Sequence, residues 1–331
     1  MANTQHVTIL GAGAIGCYTG ALLAHGGSDV TLVGRPNILD PIRKNGLRVG
    51  GPNPIQVPGS ALRFAERLSD VDTTDLIIVT IKAPGLDRAV ADLTIKASDA
   101  PILSLMNGIE PARRFAREFP KRAVIPGLVA FNVVWTDSTE LFRSSAGQIV
   151  VQDNHGMERL AETSSGIMRI VRDIAPIQYG KLILNLTNPI NALSGMPLLK
   201  TVEQRPFRLI QSAAFTEALT AYRTNGIAYE KASKFSPDFM ARMLKAPDLI
   251  FRNVFLPLQK LDPKSITSMA QDYAAHRETE IDVLNGEIVA LAGKAAAPVN
   301  TALVRLIKDG PQKGWPTFSG PDLMRAVGLS S

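Results

Sequence analysis

Two groups of residues in this chain have the types and spacing to do chemistry. The first is Gly11-Ala12-Gly13-Ala14-Ile15-Gly16, which follows a short apolar run and opens a helical stretch. In that setting Gly11 suits a tight turn, Gly13 lets backbone approach a pyrophosphate, and Gly16 permits close helix–strand packing. Ala14 and Ile15 then fall in the first helical turn, where amide groups and the helix dipole favour an anion. The next apolar run ends in Gly34-Arg35. An NAD site usually places a carboxylate there to bind the ribose 2′-hydroxyl. A carboxylate would repel a 2′-phosphate, whereas a guanidinium can pair with it bidentately. The cofactor expected from these residues is therefore NADP, bound as NADPH. Lys82 and Asn107-Gly108 directly follow the third and fourth apolar runs, and ligands of open α/β sheets bind beyond such strand ends.

The second group is Lys181, Asn185 and Asn188, in Tyr179-Gly-Lys-Leu-Ile-Leu-Asn-Leu-Thr-Asn-Pro-Ile-Asn. On one helix, Asn185 would lie about 40° from Lys181 and Asn188 about 20° to its other side. One ammonium and two amides would then share a face, with Pro189 kinking or ending the helix just beyond. Asparagine is a poor helix former, so two on one stripe point to hydrogen bonding. A polar island from Ser268 to Asp282 reads, on pattern alone, as a charged helix surface. The lone Cys17 reads as a small core residue on a helix. His6, His25, His155 and His276 lack metal-ligand spacing, so no metal site is expected.

The elements that must position these groups alternate in the first half. Apolar runs at Val7–Leu10, Val30–Val33, Leu76–Ile81, Ile102–Met106 and Ala123–Ile125 suit strands buried on both faces. Helical stretches such as Ile15–Ala24 and Leu86–Ile95 lie between them, and Gln148–Gln152 extends the series. The rhythm implies an α/β fold, a Rossmann-type doubly wound parallel sheet. From about Tyr179 the spacing turns helical, with long stretches at Phe207–Thr224, Ile266–Leu291 and Thr301–Ile307. The expected division is residues 1–177, an NADPH-binding domain, and residues 178–331, an all-helical substrate domain. With 331 residues, each part can bury its own core.

Apolar residues make up 45% and charged residues 20%, as in ordinary globular chains. The net charge of +6 is spread along the chain without an aromatic-interleaved basic patch. An anionic small molecule is thus a simpler partner than nucleic acid. No apolar run approaches the ~20 residues that span a bilayer. Val7–Leu10 is also too short for a signal-peptide core, so no membrane partner and a cytoplasmic location are expected.

Taken together, the glycine turn, Arg35, Lys82, Asn107-Gly108, Lys181 with Asn185, and Ser268…Glu280-Ile281-Asp282…Asn285-Gly286 resemble the ketopantoate reductase family (2-dehydropantoate 2-reductases). The resemblance runs from about Val7 to about Ile307, and the string from Ser268 to Gly286 is its most specific part. It implies an N-terminal Rossmann domain for NADPH and a helical domain that takes a 2-keto acid across a cleft. It makes Lys181 the general acid and Glu280 the residue that positions Lys181 or the substrate. Asn107, Asn185 and Ser268 would hold substrate groups, with Asn188 as the second asparagine of the lysine segment. Lys82 and Asn107 would touch the nicotinamide ribose. Lys181 is expected near a helix N-terminus in a partly desolvated setting that lowers its pKa, with Glu280 opposing the shift. Tyr179 stands where the family usually has tryptophan, and Asn188 follows the lysine by seven residues rather than eight. Two other readings remain open: an opine-type dehydrogenase, for which Asp272 and His276 could form an acid–histidine pair, and a non-catalytic NADPH-binding regulator. The helical faces could pack within one chain or across a homodimer.

Overall fold

The computed structural model describes residues 5–330 apart from Ala97, His155, Ala232, Ser233, Lys260 and Lys264. His155, one of the four histidines, thus lies outside the described residues. The chain divides into two compact units after Ile174.

Among the described residues the first unit carries twelve strands: β1 (His6–Leu10), β2 (Asp29–Val33), β3 (Leu47–Gly50), β4 (Ile55–Val57), β5 (Leu62–Ala65), β6 (Leu76–Val79), β7 (Ile102–Ser104), β8 (Val124–Val129), β9 (Val133–Asp137), β10 (Glu140–Arg143), β11 (Ile149–Gln152) and β12 (Met168–Val171). Eight of them form one sheet in the order β12-β11-β8-β7-β6-β1-β2-β5. β1 pairs in parallel with β2 on one side and β6 on the other, so the chain reverses its winding direction at β1. The register aligns Leu10 with both Val33 and Val79, and Val79 with Ser104. Everything just beyond those residues therefore gathers at one sheet edge, where the winding direction switches. The sheet is not wholly parallel, because β11 runs antiparallel to β8. The strands Leu76-Ile-Ile-Val and Ile102-Leu-Ser are buried at every position, which is why their sequences show no polar alternation.

A second sheet, β4-β3-β10-β9, is absent from the sequence reading. Its strands are short and half-polar, as in Leu47-Arg-Val and Ile55-Gln-Val. Helix Ala14–His25 packs against strands of both sheets, so nearly all of its residues from Gly16 to Leu23 are buried and it has no polar face. Cys17 sits there as expected, and desolvation pushes its thiol up to about 12, which leaves it unreactive. Arg143 of β10 is buried between the layers. It stacks 4.3 Å over Phe131 and donates to the Tyr18 hydroxyl at 3.3 Å.

The second unit is helical. Its central helix, Arg205–Thr224, packs against the helices Pro237–Met243, Asn285–Ala292, Pro298–Lys308 and Gly320–Ala326. The stretch Ile266–Leu291, read from sequence as one periodic run, is broken. A helix at Ser268–Ala274, a coil, a 3₁₀ turn at Ile281–Val283 and the helix Asn285–Ala292 replace it. The sequence had given no role to residues after Gly310. They return to the unit: the Phe318 amide donates to the Leu193 carbonyl, and helix Gly320–Ala326 lies on the central helix.

Fully buried Arg208 ties two helix ends together. Its guanidinium donates to the carbonyls of Val202, Glu203, Leu244 and Ala246 at 3.1–3.3 Å and pairs with Asp248 at 2.7 Å. The first two carbonyls end helix Leu198–Glu203, whose last acceptors have no partner along their own helix, and the other two lie just beyond helix Pro237–Met243. Arg208→Met keeps the volume but orphans the carbonyls. Thermal and denaturant unfolding of that variant should show a loss of roughly 3 kcal/mol.

Candidate functional site

The glycine turn follows β1 and is fixed from three sides. Gly11 has φ +113°, a conformation that favours glycine, and the amides of Gly11 and Ala12 both donate to the Val33 carbonyl at 3.0 Å. The Gly13 amide closes the turn on the Gly11 carbonyl at 2.8 Å, and the Thr80 hydroxyl donates to the same oxygen at 2.8 Å. A Cβ on Gly16 would stand 2.0 Å from that oxygen, so Gly16 is required by the protein's own packing. Gly13 differs. Its φ is −84°, and a Cβ there would meet nothing within 4 Å. The helix it caps has no side-chain cap among the described residues and no acid in its first turn. The amides of Ala14, Ile15 and Gly16 fall in the first turn, where the helix supplies no acceptors of its own, and the open space at Gly13 beside them suits an anion such as a pyrophosphate.

Arg35, after β2, is exposed, and Pro36 at the start of the next helix fixes its exit. Lys82, after β6, is exposed, and its carbonyl accepts from the Gly85 amide at 2.9 Å. Asn107 is half-buried after β7, followed by Gly108 at φ +83°. The β-sheet register thus brings the glycine turn, Arg35, Lys82 and Asn107 to one sheet edge.

In the helical unit Lys181 sits in the helix Ala175–Asn185. That helix begins six residues before the lysine, so the expected placement near a helix N-terminus is wrong and the dipole gives no help. Burial lowers the ammonium instead, to about 8, and the opposing pull of the Glu280 carboxylate is the smaller effect. Glu280 is itself buried at 7% exposure, just ahead of the 3₁₀ turn Ile281–Val283. Asn185 lies one turn along from Lys181 on the same face. Asn188 does not share that helix. The chain breaks after Asn185, and Asn188 with Pro189 starts a new helix, Asn188–Ser194. Proline lacks an amide hydrogen and is tolerated in a first turn, so Pro189 moves the break ahead of Asn188 rather than beyond it. Ser268 is the exposed first residue of helix Ser268–Ala274, capped by the Thr267 hydroxyl, which accepts from the Ala270 amide.

Two residues that position this group escaped the sequence reading. A Cβ on Gly180 would stand 1.9 Å from the Glu230 carbonyl oxygen, so the glycine beside Lys181 lets a neighbouring segment pass close; the Glu230 amide donates to Pro176 at 2.8 Å. Fully buried Asn191 donates to Met196 and Thr201, and accepts from the Thr267 amide at 3.0 Å. It thereby ties helix Asn188–Ser194 to the start of the Ser268 helix. A second asparagine three residues after Asn188 was the available signal. Asp272 pairs with Arg277 at 3.0 Å, while His276 stacks on Trp315, an arrangement that gives no support to an Asp272–His276 pair.

Comparison with known proteins matches residues 7–156 to the family model "Ketopantoate reductase PanE/ApbA" and residues 173–310 to its C-terminal model. The chain belongs to the ketopantoate reductase family. It is an oxidoreductase of a nicotinamide-dependent family. It is 26% identical over 315 residues to the 2-dehydropantoate 2-reductase of Mycobacterium tuberculosis (strain ATCC 25618 / H37Rv), across 92% of this chain and 98% of the relative. The Pyrococcus horikoshii 2-dehydropantoate 2-reductase is 28% identical over 315 residues, across 91% of this chain and 96% of its own. Among solved structures, a PanE/ApbA family ketopantoate reductase from Ralstonia eutropha JMP134 superimposes with a TM-score of 0.76 at 26% identity, covering 93% of this chain and all of that one. D-Mandelate dehydrogenase, solved with NADH and anilino(oxo)acetate, shares the fold with a TM-score of 0.75 at 20% identity.

Within this family member, the two glycines separate folding from binding. Gly16→Ala must displace backbone and should cost roughly 1–3 kcal/mol or more in denaturant unfolding. Gly13→Ala meets no protein atom, so its unfolding midpoint should hold while nucleotide affinity, read by fluorescence titration, falls at least ~10-fold.

Proposed function

We propose that this ketopantoate reductase family member reduces a 2-keto acid to the 2-hydroxy acid with NADPH, with 2-dehydropantoate as the first substrate to try. The observation that carries the reading is Lys181, an amine lowered to about 8 beside the buried Glu280. Structural lysines seldom sit at a pKa matched to proton transfer near neutrality. The curated relatives named above support 2-dehydropantoate as substrate.

In this reading Gly13, Ala14 and Ile15 would hold the pyrophosphate of NADPH, Arg35 its 2′-phosphate, and Lys82 and Asn107 the ribose nearest the nicotinamide. When bound, the nicotinamide supplies a hydride to the keto carbon. The residues of the chain do the rest. The Lys181 ammonium faces the carbonyl oxygen, stabilises the negative charge that develops there, and donates its proton from Nζ to give the hydroxyl. Glu280 keeps that ammonium oriented and limits how far burial lowers its pKa. Asn185, Asn188, Asn107 and Ser268 hydrogen-bond the substrate's hydroxyl and carboxylate groups. A homodimer is part of the proposal only as an arrangement of helical units, checked by sedimentation.

NADPH oxidation with a panel of 2-keto acids tests the reading. Turnover should be strongest with 2-dehydropantoate or a close analogue, and Lys181→Ala should lower kcat/KM by ~10²–10⁴. No turnover with any keto acid would sink the enzyme reading. The active form is the protonated lysine, so the rate of reduction should hold below its pKa and fall as pH rises through about 8. Removing the carboxylate in Glu280→Gln should move that fall to lower pH. Arg35→Asp should weaken NADPH ~10–100-fold while sparing NADH, and equal loss of both would remove the 2′-phosphate assignment.

A further inference from the structure

The coil between helix Ser268–Ala274 and Glu280 is held from the far end of the chain. His276 has φ +54°, a left-handed conformation uncommon for a residue with a side chain, and such strain persists only where the surroundings enforce it. The enforcing contact is visible. The His276 ring stacks on Trp315 with planes 5° apart and centroids at 5.3 Å. Trp315 in turn meets the Tyr273 ring edge-on at 4.9 Å, and the Tyr273 hydroxyl donates to the Pro316 carbonyl at 3.1 Å. Trp315 is itself at φ +56°, and its amide donates to Gly310 at 2.7 Å. A Cβ on Gly310 would come 2.9 Å from the Tyr273 ring, so the glycine allows this turn to close on the aromatic group. On its other side the coil is fixed by Arg277, whose amide donates to the Asp272 carbonyl at 2.8 Å and whose guanidinium pairs with the buried Asp272 carboxylate. The family models end at residue 310, so Trp315 lies outside every matched residue.

We propose that Trp315 is a positioning residue for Glu280: by clamping His276 and Tyr273 it fixes the coil that delivers the Glu280 carboxylate beside Lys181. The proposal rests on the reading of Lys181 as the proton donor for its catalytic consequence, but not for its geometry. Titratable groups on the clamped coil are His276, Arg277 and Glu278, all exposed, with Asp272 and Glu280 buried at its two ends. Without the stack, His276 relaxes from its strained conformation. The coil then loosens, and Glu280 moves away from the ammonium that it supports.

The test uses the full-length protein and three variants: Trp315→Ala, Trp315→Phe and His276→Gly. The last removes the ring while keeping a residue suited to positive φ, so it covers the case in which Trp315→Ala does not fold. The pH dependence of Lys181 labelling by an amine-reactive arylating reagent, read by peptide mass spectrometry, gives the titration of its amine without any turnover. Labelling should have its midpoint near about 8 in the parent protein. It should fall by about one pH unit in Trp315→Ala and His276→Gly, and return towards the parent value in Trp315→Phe. In the keto-acid assay Trp315→Ala and His276→Gly should lose ~10-fold in kcat with NADPH affinity unchanged. A folded Trp315→Ala or His276→Gly with an unmoved labelling midpoint overturns the proposal. Absence of keto-acid turnover in the parent protein sinks the enzyme reading instead and leaves the labelling result to decide the clamp.

Discussion

The helical unit is organised around an ammonium taken partly out of water beside a buried carboxylate. Burial alone would drive Lys181 towards neutrality, and Glu280 alone would hold it charged; the balance leaves an amine lowered to about 8. That balance is sensitive to distance, because an ion pair in a poorly solvated setting changes energy steeply with separation. Much of the surrounding structure can be understood as fixing that distance. Gly180 lets the Glu230 backbone pass against the lysine helix, Asn191 ties the next helix to Thr267, and the Asp272–Arg277 pair holds the coil leading to Glu280. None of these residues needs to touch a substrate to matter for the chemistry.

The first unit meets a different constraint, namely open room beside a helix N-terminus. Only Gly13 leaves that room. Gly11 and Gly16 serve the turn itself, one through its backbone conformation and the other through its approach to the Gly11 carbonyl. A glycine motif therefore mixes residues that fold the turn with one that leaves space for a ligand, and the added-Cβ distances tell them apart. The sheet register explains why Arg35, Lys82 and Asn107 join this cradle although they are far apart in sequence. Leu10, Val33 and Val79 end at one level, so the residues that follow are delivered to one edge.

What could be read from sequence follows from how strongly each element is marked. The central strands were legible because burial on both faces leaves an unbroken apolar run, as in Leu76–Val79. The second sheet was not, since strands of three to five residues match no period for long enough. One indirect signal existed: helix Ala14–His25 is apolar all round, which requires a cover on the side away from the main sheet. At the candidate site, the sequence pointed to Lys181, Asn185 and Glu280, which the structure gathers in one unit, but the geometry around them was misjudged. Helical periodicity carried Asn188 onto the lysine helix and drew Ile266–Leu291 as one run. Pro189 overrode the first, and the left-handed His276 interrupts the second. Neither a proline's effect on the residue before it nor a strained backbone enforced by Trp315 has a periodic signature.

The division between reacting groups and the groups that hold them bears on how substrate preference can vary in such a scaffold. In the proposed reading, a change at Lys181 removes the proton donor and a change at Glu280 alters that donor's pKa. Residues acting through the coil are freer. A change in the C-terminal turn would shift Glu280 by small amounts while leaving the identities of the reacting groups alone, and packed interiors transmit such shifts because they have few voids to absorb them. On the other side of the lysine helix, Pro189 sits in the first turn of the next helix and sets the break ahead of Asn188, so Asn188 is positioned by its own helix while Lys181 and Asn185 share the preceding one.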